Sequence, residues 1–591
     1  MKKLALYCLI ALAAAVTSVS CTDKFLEVDY YSIVNPDGVY EDPNNVLMGL
    51  MGVYHTLYND QSFYIKPHIA VANMPALDLQ AEGWDADMVT HSWGVEMQSD
   101  FFNVGWTTHY KMVSRANLYL ADLENVSEDV VPAATKKVYE AEARFIRAAA
   151  YFFLTINFSR VPMLMTGETY ATAPEKARPD SDDEAWQAIK EDFEFAASVL
   201  DWKPADGMVG RATKAAALAY AAKCNMYLKD YDAAKRQLKQ VIDESGRSLA
   251  PAYPLVHWLN RPDGHETIWE VSYPHFPDMG WNVWSFGKGN DFAFFSQQTR
   301  PDEYGGWGDA PLSHELVRSF EPGDKRIDEI VVWKGEVVEN PFTGDPVFQP
   351  KDGGVYQQYF QSKRAGIPNN HSRKWWKSND VYTAVSVQLY RYAEVLLNYA
   401  ECAFRTGDAA TGWNTIAEVR NRAWGNLEVG YDPNSDPRGC ANSYLKYPTE
   451  LLNTEIVPVP DAQEVYAKYK AEKGYHSDLW VVALTQERRK EFFYEFNFWF
   501  DLCRQELVEE WLECEYPKNG GATFKNVVTG KLYVPTGSDY NQPYNDASPE
   551  ERAQMIPINP RDWDWNPIHL VYPIPNSELV ANPLCTQNPG Y

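Results

Sequence analysis

The chain has 591 residues, 45% hydrophobic and 23% charged, which supplies material for a large core and excludes a largely disordered chain. Lysine and arginine number 54 against 81 aspartates and glutamates, a formal charge of −27, which disfavours nucleic acid or an anionic membrane surface as the main partner. The aromatic share is 14%, with 20 tryptophans, and predicts flat apolar surfaces with polar edges.

Residues 1–20 have the form of an export signal. Lys2 and Lys3 form a positive start, Leu4 to Val16 an apolar stretch too short to span a bilayer, and small residues lead to Cys21. A small-residue stretch ending in Cys is the pattern of a bacterial lipoprotein signal, in which Cys21 is acylated. The other reading is an ordinary secretory cut with an incidental thiol. No later stretch has about 18 uninterrupted apolar residues, so no membrane-spanning helix is expected after cleavage.

Apolar recurrence at three and four residues predicts helices over 45–58, 107–123, 135–157, 182–200 and 486–511. Two stretches repeat one spacing. Tyr220, Cys224 and Tyr227 precede a turn-prone Lys229 to Asp232, then Ala234, Leu238 and Val241 follow. Leu397, Glu401 and Phe404 precede Thr406-Gly407-Asp408, then Gly412, Ile416 and Val419. This is the helix–turn–helix spacing of tetratricopeptide repeats, although two unrelated antiparallel pairs would share the small residues. Arg147, Glu394, Arg420, Arg488 and Asp501 lie among apolar positions of these helices and are read as interhelical ion pairs. Cys224, Cys402 and Cys503 fall inside helical patterns as buried thiols, no Cys-x-x-Cys occurs, and no disulfide is required.

From Pro251 to about Asp380 the texture changes to Gly, Pro, Asn and aromatics, with a short strand-like piece at 268–273. Between Trp269 and Trp307 stand eleven aromatic residues interleaved with glycine and asparagine. A pyranose packs its C–H face on such rings and directs its hydroxyls to amides and carboxylates. Candidate ligand residues are therefore Trp281, Asn282, Trp284, Asp291, Tyr304 and Trp307, with Trp84, Trp93 and Asn103 from an earlier loop over 80–103. The opposing reading packs these rings beneath their own loops, as Phe292, Phe294 and Phe295 suggest. Catalytic and metal motifs are missing, and Asp85-Ala86-Asp87 and Asp562-Trp563-Asp564 read as solvated turns before calcium ligands. No catalytic residue, metal or cofactor is assigned.

Several blocks, in order along the chain, carry a resemblance. Cys21-Thr-Asp-Lys-Phe-Leu-Glu opens it. Ala141-Glu-Ala-Arg-Phe-Ile-Arg-Ala148 runs on through Tyr151-Phe152 to Val161-Pro162, and Gly210-Arg-Ala-Thr-Lys-Ala-Ala-Ala217 follows. Then come Arg391-Tyr-Ala-Glu-Val-Leu-Leu397 with Tyr399-Ala-Glu401 and Val419-Arg-Asn-Arg-Ala423. Glu487-Arg-Arg-Lys-Glu491, Glu495 and Trp499-Phe-Asp-Leu502 with Arg504 precede Pro573-Ile-Pro575 and Gln587-Asn-Pro-Gly-Tyr591. Together they resemble the RagB/SusD family of outer-membrane nutrient-binding lipoproteins, with Ala141, Cys402 and Asn497 departing from its usual residues.

The expected fold is all-α: a right-handed superhelix of four tetratricopeptide-like helix pairs with a large irregular loop excursion and minor β-strands. Along the chain this gives a signal over 1–20, helices over 21–250, the aromatic excursion over 251–380, helices over 381–514 and an irregular end over 515–591, forming one domain overall. The resemblance implies a surface-exposed outer-membrane lipoprotein anchored at Cys21. It would bind oligosaccharide or polysaccharide, act as the lid of a SusC-like TonB-dependent transporter, need no cofactor and contact no nucleic acid. A peptide-binding lid and a glycan-degrading enzyme are the alternatives.

Overall fold

The computed structural model describes residues 40–58, 74–79, 100–256, 264–271, 312–333, 338–339, 346–348, 359–360, 387–426, 430–438, 441 and 455–591, except 494, 496, 538, 540 and 562. The first helices are α1 (Pro43–Tyr54), α2 (Asp100–Glu124), α3 (Ala133–Phe158) and α4 (Asp182–Val199). Next come α5 (Lys214–Tyr227) and α6 (Tyr231–Glu244). From α1 to α6 each helix packs on the next in sequence. The helix α3 is the centre of this layer. From Ala141 to Phe158 only Arg144 and Arg147 are not fully buried, as expected of a helix surrounded on all sides.

Side-chain caps mark several helix starts. Asp42, Ser181, Thr213 and Asp230 each accept from a backbone N–H of the first turn, satisfying donors that the helix itself leaves unpaired.

Both repeated spacings form helix hairpins. The second consists of α8 (Tyr392–Arg405) and α9 (Ala409–Ala423), with α7 (His314–Ser319) lying before it. Asp230 and Asp408 cap the second helix of each hairpin, and Lys235 of α6 reaches Asp408 at 2.9 Å. Gly412 lets α9 approach α8: a Cβ there would meet the Phe404 ring at 2.5 Å. Since α6 packs directly on α8, the helical stack continues past the excursion between them. The excursion is pinched at its base by β1 (Thr267–Val271) pairing antiparallel with β2 (Val387–Arg391).

The single helix expected over 486–511 is three. They are α11 (Leu479–Glu491), α12 (Phe498–Arg504) and α13 (Val508–Glu515), following α10 (Ala462–Lys473). Apolar recurrence hides such breaks when the residues of the bend are themselves buried, as Phe492, Phe493 and Asn497 are. The end of the chain carries β3 (Phe524–Asn526), β4 (Leu532–Tyr533) and β5 (Met555–Pro557), ordered β4-β3-β5, then α14 (Asn576–Ala581).

All five expected helical charges are paired. Arg147 binds Asp192 at 2.7 Å, and Glu394 lies 2.5 Å from Lys223. Arg420 binds Glu487 at 2.7 Å, while Arg488 binds Glu401 at 3.0 Å and Asp501 at 2.5 Å. Cys224 and Cys402 are buried in α5 and α8. No described helix is long and apolar enough to cross a membrane.

Candidate functional site at the loop roots

The chain enters the segment 80–99 from Leu79 and leaves the segment 272–311 at Leu312. These two residues form an antiparallel bridge, and Ser313 N–H donates to the Asp78 carbonyl at 2.9 Å. The start of one segment and the end of the other, flanked by residues some 230 apart in sequence, are thus attached to the scaffold side by side. Beside the bridge Leu77 adopts φ 64°, a left-handed conformation that costs a residue with a Cβ about 1–2 kcal/mol.

A buried polar cluster holds this root. The Arg489 guanidinium of α11 grips the Asp78 carboxylate through Nε at 3.0 and 3.1 Å and through Nη2 at 2.5 Å. It also reaches Glu515 of α13 at 3.1 Å. The Tyr516 hydroxyl donates to Asp78 and lies 2.8 Å from Ser313 Oγ, joining both roots through one oxygen. Trp511 Nε1 donates to the Ala76 carbonyl at 2.9 Å. Burial pushes the Asp78 carboxyl above its ordinary range, and Arg489 opposes that shift.

The C-terminal segment is stitched to the same place. Asn559 Oδ1 accepts from His314 N–H at 2.9 Å, and Arg561 pairs with Glu315. Asn519 donates to the Asn559 carbonyl at 2.7 Å and accepts from Arg561 N–H at 2.8 Å. Trp563 Nε1 donates to the Tyr516 carbonyl at 2.6 Å. His314 is pushed down to about 3 by burial, with Arg318 and Arg561 adding to it, so the ring is neutral.

Of the sequence candidates, Asn103 alone lies among the described residues. It sits in the first turn of α2, half-buried, and its Oδ1 accepts from Ser577 of α14 at 2.5 Å. Trp84, Trp93, Trp281, Asn282, Trp284, Asp291, Tyr304, Trp307 and Cys21 lie outside the described residues. The root residues Asp78, Ser313 and Tyr516 have no sequence signature, because a contact between distant segments leaves no local pattern. Trp563 did leave one, an alternation of Trp with Asp in an irregular segment.

A cavity of about 20 Å³ lies within the helices, lined by Tyr220, Lys223, Asn497 and Asp501 among others. It has room for one water and none for a sugar. Among the described residues no group of three His, Cys, Asp or Glu side chains is arranged to hold a metal ion.

Comparison with known proteins gives matches along the chain. A model of the SusD family matches residues 265–591, and one described as "Starch-binding associating with outer membrane" matches 24–228. SusD-like protein P2 of Formosa agariphila is 23% identical over 97% of each chain. A structure titled laminarin binding SusD-like protein superposes with a TM-score of 0.62 at 18% identity, covering 93% of this chain and 100% of that one. Surface glycan-binding protein A from Bacteroides uniformis gives 0.60 at 19%, covering 92% and 99%. At these identities the two structures share the fold: a superhelix of tetratricopeptide-like helix pairs with loops and few strands.

Proposed function

The chain belongs to the SusD family, and from that membership we propose that it binds oligosaccharide or polysaccharide at the cell surface and delivers it to a SusC-like TonB-dependent transporter. In this reading the protein is an outer-membrane lipoprotein anchored through Cys21. It acts as the transporter's lid and carries out no chemistry. Closure of such a lid over bound ligand is a population shift, which requires the ligand to prefer the closed state. The shared membrane would let a modest interface hold the two proteins together.

The observation that most supports the reading is the bridge between Leu79 and Leu312. It joins the chain just before the segment that carries Trp84 and Trp93 to the chain just after the segment that carries Trp281, Trp284, Tyr304 and Trp307. Two structural neighbours, one named as laminarin-binding and one as glycan-binding, support the same ligand class.

The test is gel retardation by laminarin, starch and other polysaccharides, using soluble protein that begins after Cys21. Retardation by one glycan is expected, with loss in Trp281→Ala and Trp307→Ala while helical content stays unchanged. A protein retarded by no glycan, but binding basic peptides in a salt-sensitive way, would replace the sugar reading with a peptide one. Cys21→Ala is expected to abolish palmitate labelling and release the protein from the membrane fraction.

A further inference from the structure

An antiparallel sheet lying on a protein body commonly turns apolar residues inward and polar residues outward. The small C-terminal sheet follows this rule on its inner face only. There Phe524 is buried against the Tyr544 ring at 5.4 Å, and buried Asn526 accepts from the N–H groups of Val528 and Thr529 at 2.9 Å each. On the outer face, Lys525 pairs with Leu532 of β4 on one flank and with Ile556 of β5 on the other, so these three share a side. Val527 and Val534 follow two residues further along β3 and β4. Val527, Val528, Leu532 and Val534 are 56%, 73%, 44% and 52% exposed.

The sheet that displays them is firmly held. Asn526 donates to Gln554 at 3.2 Å, and Gly530 closes the turn with φ 74° and its N–H on the Asn526 carbonyl at 2.9 Å. Arg318 of α7 donates to the Pro557 carbonyl at 2.6 Å and ties β5 to the scaffold. A surface already ordered loses little conformational freedom when it binds. In a chain of net charge −27 this face is positive, with Lys525 at its centre and Lys531 at its rim, 3.3 Å from Glu551.

Size and charge select the occupant. The exposed apolar area is roughly a few hundred Å², whereas a stable interface buries about 800 Å² on each partner. Two copies of a chain carrying −27 also repel one another. A partner held in the same membrane needs far less contact, because the tether raises its effective concentration. The two lysines call for carboxylates at the edge of an apolar patch.

We propose that the outer face of β3, β4 and β5, with Val528 at its tip, docks on an apolar, acid-rimmed patch of the membrane-embedded transporter. The proposal rests on the transporter-lid reading above. A contact this small can break and re-form, as opening and closing of a lid require.

The experiment extracts the full lipoprotein from its membrane in mild detergent, together with the TonB-dependent barrel that accompanies it, identified by mass spectrometry. Val528→Lys and Leu532→Lys are compared singly and together. About tenfold less barrel is expected with the double variant, while Tm and glycan retardation of the soluble protein stay unchanged. Lys525→Glu is expected to weaken the contact more at low salt than at high salt. Equal recovery of the barrel with every variant overturns the docking surface and leaves the lid reading intact. No barrel with the unaltered lipoprotein overturns the docking surface and the transporter part of that reading together, while glycan retardation still tests the ligand part. A dimer of the purified protein in sedimentation, lost in the double variant, overturns the proposal and gives the face to a second copy. A lower Tm of the double variant overturns it too, and gives the face to the chain's own segments.

Discussion

The helices α3 to α6 and the helices α8 to α13 are packed by different means. The first group is joined mainly by apolar contact. Alanines 215–217, 219, 221 and 222 bring α5 close to its neighbours, and Phe145, Phe152, Phe193 and Tyr220 fit together by edge and face. The second group is organised around five consecutive buried charges of α11, Glu487 to Glu491. Successive helical residues point about 100° apart, so a helix enclosed on all sides sends five neighbours in five directions. Glu487 meets Arg420 of α9 and Arg326, and Arg488 meets α8 and α12. Arg489 meets Asp78 and α13, Lys490 meets Glu321, and Glu491 meets Arg391 of β2. Apolar packing is non-directional and supplies stability, whereas ion pairs specify partners. The second group has irregular segments to hold in register, and directional contacts do that.

The comparison breaks if the two groups respond alike to substitution. Arg489→Met, which strands Asp78 in the interior, is expected to cost about 3–5 kcal/mol in urea unfolding. Adding Asp78→Asn should recover part of the loss, because the stranded charge is gone. Leu238→Ala in α6 is expected to cost about 3 kcal/mol through transfer and cavity effects, with no such recovery available. Gly412→Ala should cost about 1–3 kcal/mol by the same measurement. The Phe404 ring it meets is held between Trp413 and Trp480 at 5.3 and 5.0 Å.

Tyr516→Phe removes the hydroxyl shared by Asp78 and Ser313 and is expected to cost about 1–2 kcal/mol. If the roots orient the ligand segments, glycan affinity should fall further in Tyr516→Phe than in Leu238→Ala.

A further effect is one of pH. Below 6.5 the unfolded chain takes up a proton at His314 that the folded chain refuses until about 3, so stability falls as pH drops through that interval. Glu491, held down to about 2 by Arg422, Arg391 and Arg326 against its burial, adds a loss between 4.5 and about 2. Raised Asp78 acts in the opposite sense. Thermal unfolding of His314→Gln should therefore show a flatter decline between pH 6.5 and about 3, with the loss below that unchanged.

Much of the scaffold was legible in the sequence because it depends on neighbours three and four residues away. The hairpins with Asp230 and Asp408 at their turns, the buried Cys224 and Cys402, and the pairing of Arg147, Glu394, Arg420, Arg488 and Asp501 all follow from local pattern or from the cost of an unpaired buried charge. The split of 486–511 into three helices did not, since buried bend residues keep the apolar recurrence intact. Asn103, chosen for its polar company in a loop, lies on α2 and holds Ser577.

By itself the sequence determined the helix pairs, the aromatic excursion and the family, since periodicity, composition and ordered motifs are properties of the chain as written. Only the tertiary structure decided which charge meets which, that Leu79 lies against Leu312, and that Trp563 stands beside them. Those are contacts between segments from 13 to 411 residues apart, formed when the helical stack folds and the buried charges of α11 select their partners, and no local pattern encodes such a choice.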